Sequence, residues 1–70
     1  MDLTWEGGFA IRVRHERDAV VVSANREGLV SLARHLQTLA DEPSKSHFHL
    51  DEHNSLEDGS CELIIEKVEM

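Results

Sequence analysis

Asn25-Arg26-Glu27-Gly28-Leu29-Val30-Ser31-Leu32-Ala33-Arg34-His35-Leu36-Gln37-Thr38-Leu39-Ala40 is the stretch that decides the fold. Leu29, Leu32, Ala33, Leu36, Leu39 and Ala40 recur at three- and four-residue steps, the spacing of one stripe along a helix. Ser31, Arg34, His35, Gln37 and Thr38 fall outside that stripe. Asn25 suits the N-cap, and Glu27 places an anion in the first turn, where the helix dipole favours one. Asp41-Glu42-Pro43 ends the helix, because Pro43 has no amide hydrogen and restricts the residue before it.

Strand patterns flank this helix on both sides. Phe9-Ala10-Ile11-Arg12-Val13-Arg14 alternates apolar and mostly basic residues, so Phe9, Ile11 and Val13 are expected to face inward. His15-Glu16-Arg17-Asp18 is short enough for a hairpin connection. Ala19-Val20-Val21-Val22 reads as a second strand, central or covered on both faces because it is so rich in β-branched residues. Beyond the helix, Ser46 to Asp51 would point Phe48 and Leu50 one way and His47, His49 and Asp51 the other. Cys61 to Val68 would point Cys61, Leu63 and Ile65 inward, with Glu62, Ile64 and Glu66 opposite. The expected fold class is α+β, a four-stranded antiparallel sheet with one amphipathic helix on one face, in the order ββαββ. Residues 1–70 are expected to form a single small domain.

Seventy residues lie near the lower end of what folds without disulfides, metals or self-association. A homodimer through an edge strand or the uncovered sheet face would help, and Ala10, Val21 and Ile64 are candidates to line it. Cys61 is the only cysteine, so no internal disulfide forms and a reducing compartment is expected. The N-terminus has no basic region followed by an apolar run, and no segment approaches membrane-spanning length. A soluble cytoplasmic protein is expected.

The formal net charge of −7 is concentrated in one half of the chain. Through His35, the residues Arg12, Arg14, Arg17, Arg26 and Arg34 balance Asp2, Glu6, Glu16, Asp18 and Glu27. After it, only Lys45 and Lys67 oppose nine carboxylates. This argues against nucleic acid and anionic membrane as partners, both of which need a basic footprint. A basic protein partner fits better, since complementary potentials speed encounter and select partners. The plain alternative is an acidic surface that only solubilises.

The densest part of the acidic half is His47-Phe48-His49-Leu50-Asp51-Glu52-His53-Asn54-Ser55-Leu56-Glu57-Asp58-Gly59-Ser60. Asp58-Gly59 suits a turn. His47, His49 and Asp51 share a strand face and form an alternative metal-ligand set, since imidazole and carboxylate both ligate transition metals. Histidines on an exposed strand face are more often plain surface side chains, so neither a metal nor another cofactor is expected. The oxygen spacing does not match an EF-hand loop. Cys61 lacks a third group to orient a base, and Gly7-Gly8 is followed by no Lys-Ser or Lys-Thr pair, so no catalytic residues and no enzymatic activity are expected.

The run from Ser23 to Leu36, His47 to Glu52, Asn54 to Ser60 and Glu62-Leu63-Ile64-Ile65-Glu66 resembles bacterial immunity protein family 32. The resemblance covers most of the chain from about the first strand onward, and is strongest from His49-Leu50-Asp51-Glu52 to Asn54-Ser55-Leu56-Glu57. It implies membership of a polymorphic toxin system, in which a cytoplasmic immunity protein neutralises a cognate toxin by binding. It carries over no toxin-contacting residue. On charge and placement, the expected contact is Asp51, Glu52, Glu57 and Asp58, with His49 and His53 adjacent and Leu56 as a protruding apolar anchor. The partner would be a basic toxin domain. Protonation of the histidines would add positive charge there, so acidification is expected to weaken binding. A small metal-binding domain and a structural or regulatory homodimer are the alternatives.

Overall fold

The computed structural model describes all 70 residues, with elements β1 (Ile11–Glu16), β2 (Ala19–Ala24), α1 (Arg26–Ala40), β3 (His47–Leu50) and β4 (Leu63–Glu66). The expected order ββαββ is present, but the four strands do not form one sheet. β1 pairs antiparallel with β2 from Ile11↔Ala24 to Glu16↔Ala19, and β3 pairs antiparallel with β4 from His47↔Glu66 to Leu50↔Leu63. These are two separate two-stranded sheets.

The break has a local cause. The Ile11 carbonyl accepts the Glu57 amide at 2.9 Å, and the Val13 carbonyl accepts the Cys61 amide at 2.8 Å. The Val13 amide donates to Ser60 Oγ at 3.2 Å. The outer edge of β1 is therefore satisfied by residues 57–61, which are folded on themselves by a bond from the Ser60 amide to the Glu57 carbonyl. A turn in that place supplies donors to β1 without the register of a strand.

β2 is an edge strand, not the central one expected from its composition. Val22 and Val20 lie opposite Val13 and His15, so they share the face of buried Ile11 and Val13, yet they are 37% and 54% exposed. β-branched residues favour extended backbone wherever the strand lies, so they report conformation better than position. The connection to β1 is only Arg17-Asp18, and Arg17 supplies the left-handed conformation at φ 58 that such a tight hairpin needs.

α1 begins where expected. The Asn25 carboxamide oxygen accepts the amides of Gly28 at 2.8 Å and Ala10 at 2.9 Å, while its nitrogen donates to the Gly8 carbonyl. One side chain thus caps the helix and fixes it to the entrance of β1. At the other end, Lys67 Nζ donates to the carbonyls of Ala40 and Glu42, placing a cation at the negative end of the helix.

The helix is turned away from its apolar stripe. Its buried residues are Gly28, Ser31, His35 and Leu39. Ser31 and His35, expected outside, are covered by the N-terminal segment. Ser31 Oγ accepts the Glu6 amide at 2.8 Å, and His35 Nε2 lies 3.0 Å from the Thr4 carbonyl. Trp5 stacks on Phe9 and meets the His35 ring edge-on, while Phe48 packs against the same imidazole. Leu29 and Leu36, expected in the core, are 54% and 43% exposed. The fully packed apolar centre is Ile11, Val13, Leu39, Phe48, Leu50 and Leu56; Phe9, Leu32, Leu63 and Ile65 are partly buried against it.

Two outcomes test this packing. A Cβ on Gly28 would lie 2.6 Å from the Ala10 carbonyl oxygen and 2.9 Å from Ile11 Cγ1. Gly28→Ala should therefore destabilise the fold by about 1–3 kcal/mol, although alanine is the better helix former by about 1 kcal/mol. A lowered urea midpoint at unchanged slope is expected, and a raised midpoint would refute the close approach.

The Thr4 carbonyl can only accept, so in the neutral ring Nε2 carries the proton and the buried Nδ1 has no partner. Burial lowers the pKa of His35, offset in part by the Thr4 bond. The unfolded chain therefore binds a proton that the folded chain refuses. Stability from this residue is complete above the ordinary imidazole value of about 6.5 and is lost as pH falls from there through the lowered folded value. Melting followed by the fluorescence of Trp5 should show a falling midpoint from neutral to mildly acidic pH, and His35→Gln should reduce that slope.

Candidate functional site

The long connection between β3 and β4 is ordered by its own polar side chains. Asp51 Oδ1 accepts the amides of His53 at 2.8 Å and Asn54 at 3.0 Å. Asn54 returns the bond, its Oδ1 accepting the Asp51 amide at 3.0 Å and its Nδ2 donating to the His49 carbonyl at 3.1 Å. The Asp51 carbonyl also accepts the amides of Ser55 and Leu56. The following turn is closed by Glu52, whose Oε2 accepts the Gly59 amide at 2.9 Å, with Gly59 at φ 85 as the expected Asp58-Gly59 turn requires.

Leu56 does not protrude. It is 5% exposed and belongs to the packed apolar centre. Its acidic neighbours in sequence suggested a surface anchor, whereas its role is to pin the loop to the interior. His49, Glu52, His53, Glu57 and Asp58 are exposed, and Asp51 partly so.

The expected site residues fall into three places. His49, at the end of β3, sits between two carboxylates, with Nε2 2.9 Å from Glu62 Oε2 and 3.5 Å from Asp51 Oδ2. His53 lies beside Glu52 at 3.8 Å on the first turn. Glu57 and Asp58 lie on the second turn, where the Glu57 backbone is bound to β1. Glu57 also borders an open hollow of about 390 Å³, lined on the β1–β2 side by Arg12, Ser23 and Asn25.

Glu62 was not among the expected site residues, and it replaces His47 in the histidine–carboxylate group. His47 pairs across the hairpin with Glu66, whereas His49, Asp51 and Glu62 bring one ligand atom each within 4.8 Å of one another. The signal for Glu62 is strand register. With His49 opposite Ile64 and Leu50 opposite Leu63, Glu62 comes next to Asp51 across the hairpin. That register depends on how the intervening loop folds, which spacing alone does not reveal.

No lysine or arginine occurs from Ser46 to Glu66, so this hairpin and loop carry Asp51, Glu52, Glu57, Asp58, Glu62 and Glu66 without a fixed cation among them. No helix is long and apolar enough to cross a membrane. No curated protein and no solved structure matches the chain. The model of the Immunity protein 32 family matches residues 19–68, which span β2, the helix, the ordered loop and both strands of the second hairpin. On that match, which takes in most of the sequence, the chain belongs to the Immunity protein 32 family.

Proposed function

We propose that this protein is a non-enzymatic cytoplasmic inhibitor that neutralises a cognate toxin by binding a basic surface on it. The observation that carries the reading is the acidic loop itself. Its carboxylates stand on a backbone held by Asp51, Asn54, Glu52 and Leu56, in a stretch with no fixed positive charge. Side chains on an ordered loop lose less entropy on association than those on a mobile one.

In this reading Glu57 and Asp58 on the second turn, and Glu52 with His53 on the first, form the contact, with Asp51 and His49 at its edge. Asp51 and Glu52 act partly through the loop, since each accepts backbone amides, so their substitution mixes charge with structure. Glu57 and Asp58 make no side-chain ion pair within the chain and are the cleaner test.

Binding to a cognate toxin should weaken at least tenfold in the double variant Glu57→Lys with Asp58→Lys. Most of the loss should appear in the association rate, and wild-type affinity should fall as salt rises. Affinity indifferent to both changes would refute the electrostatic contact while leaving open capture through another surface.

The histidine–carboxylate group favours a second reading, a transition-metal site. Two ligands about 2.1 Å from a tetrahedral zinc are about 3.4 Å apart, close to the 3.5 Å between His49 Nε2 and Asp51 Oδ2. The 2.9 Å to Glu62 would have to open slightly. Zinc added to the protein should then shift the NMR signals of His49 selectively and saturably, and Glu62→Gln should suppress the shift. Equal responses from His47, His49 and His53 would remove this reading.

A further inference from the structure

The mismatch between the apolar stripe of α1 and its buried face leaves a specific surface. Leu29, Ala33, Leu36 and Ala40 follow one another at steps of four, three and four residues, so they lie in one row, and all four are exposed. We infer that this row is the interface of a symmetric homodimer in which the helices of two copies pack antiparallel about a two-fold axis near Ala33.

The row is complementary to itself. Leu29 and Leu36 lie at nearly equal distances on either side of Ala33, so an antiparallel partner sets Leu29 against the partner's Leu36, twice over. A symmetric interface requires this reciprocity. The residue at the crossing is the small Ala33, which allows the helix axes to approach to about 8 Å, the short end of the usual packing range. Antiparallel packing also brings the positive end of each helix beside the negative end of the other. At those ends Arg26 and Asp41 are both exposed, and neither takes part in an ion pair within the chain. The arrangement places Arg26 near the partner's Asp41 on both sides.

Charge and area favour a second copy as the occupant. From Arg26 to Ala40 the helix carries Arg26 and Arg34 against Glu27 alone, so it is spared the excess negative charge that would make two copies repel. The chain exposes 4918 Å². A folded monomer of its 7.9 kDa mass exposes about 4,400 Å² by the usual scaling, so the chain carries more open surface than a typical monomer of its size.

The inference does not depend on the toxin reading. Sedimentation equilibrium of the whole chain from micromolar to millimolar concentration should show a reversible monomer–dimer equilibrium. Ala33→Glu puts two facing charges at the crossing and should raise the dissociation constant by about a hundredfold or more, with an unchanged circular dichroism spectrum. Arg26→Asp and Asp41→Arg should each weaken the dimer, and the two together should restore it, which reads out the antiparallel orientation. A chain that stays monomeric at millimolar concentration overturns the inference. So does a dimer that survives Ala33→Glu, as pairing through the free edge of β2 would. A monomer whose toxin capture is abolished by Ala33→Glu overturns it too, since the row would then belong to the toxin.

Discussion

The closest constraint in the molecule is the contact of the first helical turn with the backbone of the first hairpin. Gly28 leaves no room for a Cβ against the Ala10 carbonyl oxygen, and Asn25 holds the same two segments together through both ends of its carboxamide. Once Gly28 is seated there, the helix has no rotational freedom, because successive residues advance by a fixed angle. Ser31, His35 and Leu39 must follow Gly28 inward. Two polar side chains are thereby buried, and each must find a partner or cost stability. The N-terminal segment supplies the partners through the Glu6 amide and the Thr4 carbonyl, and Trp5 covers the imidazole. The helix rotation, the docking of residues 3–9 and the exposure of Leu29 and Leu36 are consequences of one contact.

The second hairpin depends on a different device. Its connection is too long to be shaped by turn residues alone, and its amides are satisfied by Asp51, Asn54 and Glu52. Leu56 then ties the middle of the loop to the interior, and residues 57–61 satisfy the outer edge of β1. The loop is both the edge cover of the first sheet and the carrier of the acidic residues. An unpaired β1 edge would be open to pairing with other chains. Filling it with a turn closes it without extending the sheet.

Element types were legible in the sequence, and their assembly was not. Asn25 as N-cap, the alternation of Ile11 and Val13, and the inward direction of Phe48 and Leu50 are local patterns, and each is present. The single four-stranded sheet failed because nothing local reveals that residues 57–61 occupy the β1 edge. The helix stripe failed for a physical reason: hydrophobic periodicity identifies a face that avoids water, but not what covers it. His35 looked like a surface residue because its covering group, Trp5, is thirty residues away in sequence. In the candidate site, Asp58-Gly59 was readable as a turn, whereas Glu62 and Leu56 depended on register and burial. Leu56 illustrates the general difficulty, since one apolar residue among carboxylates can be an anchor for a partner or for the loop itself.

These two constraints separate the surfaces available to partners. The acidic residues stand on a loop whose backbone is bonded to β1 and whose Leu56 lies in the packed centre, so the loop cannot open freely without loosening the centre as well. Under the proposed function, such coupling would hold the carboxylates in place before a partner arrived and so favour fast, electrostatically guided association over induced fit. The exposed row on α1 is carried by a different element and presents apolar side chains without an acidic residue among them. A protein that buries few residues gains from covering that row, while the acidic loop gains nothing from being covered by a like-charged copy. The proposed self-association through the helix and the proposed capture of a basic partner through the loop would therefore use different elements, although Ile11 touches both, packing against Gly28 and accepting the Glu57 amide.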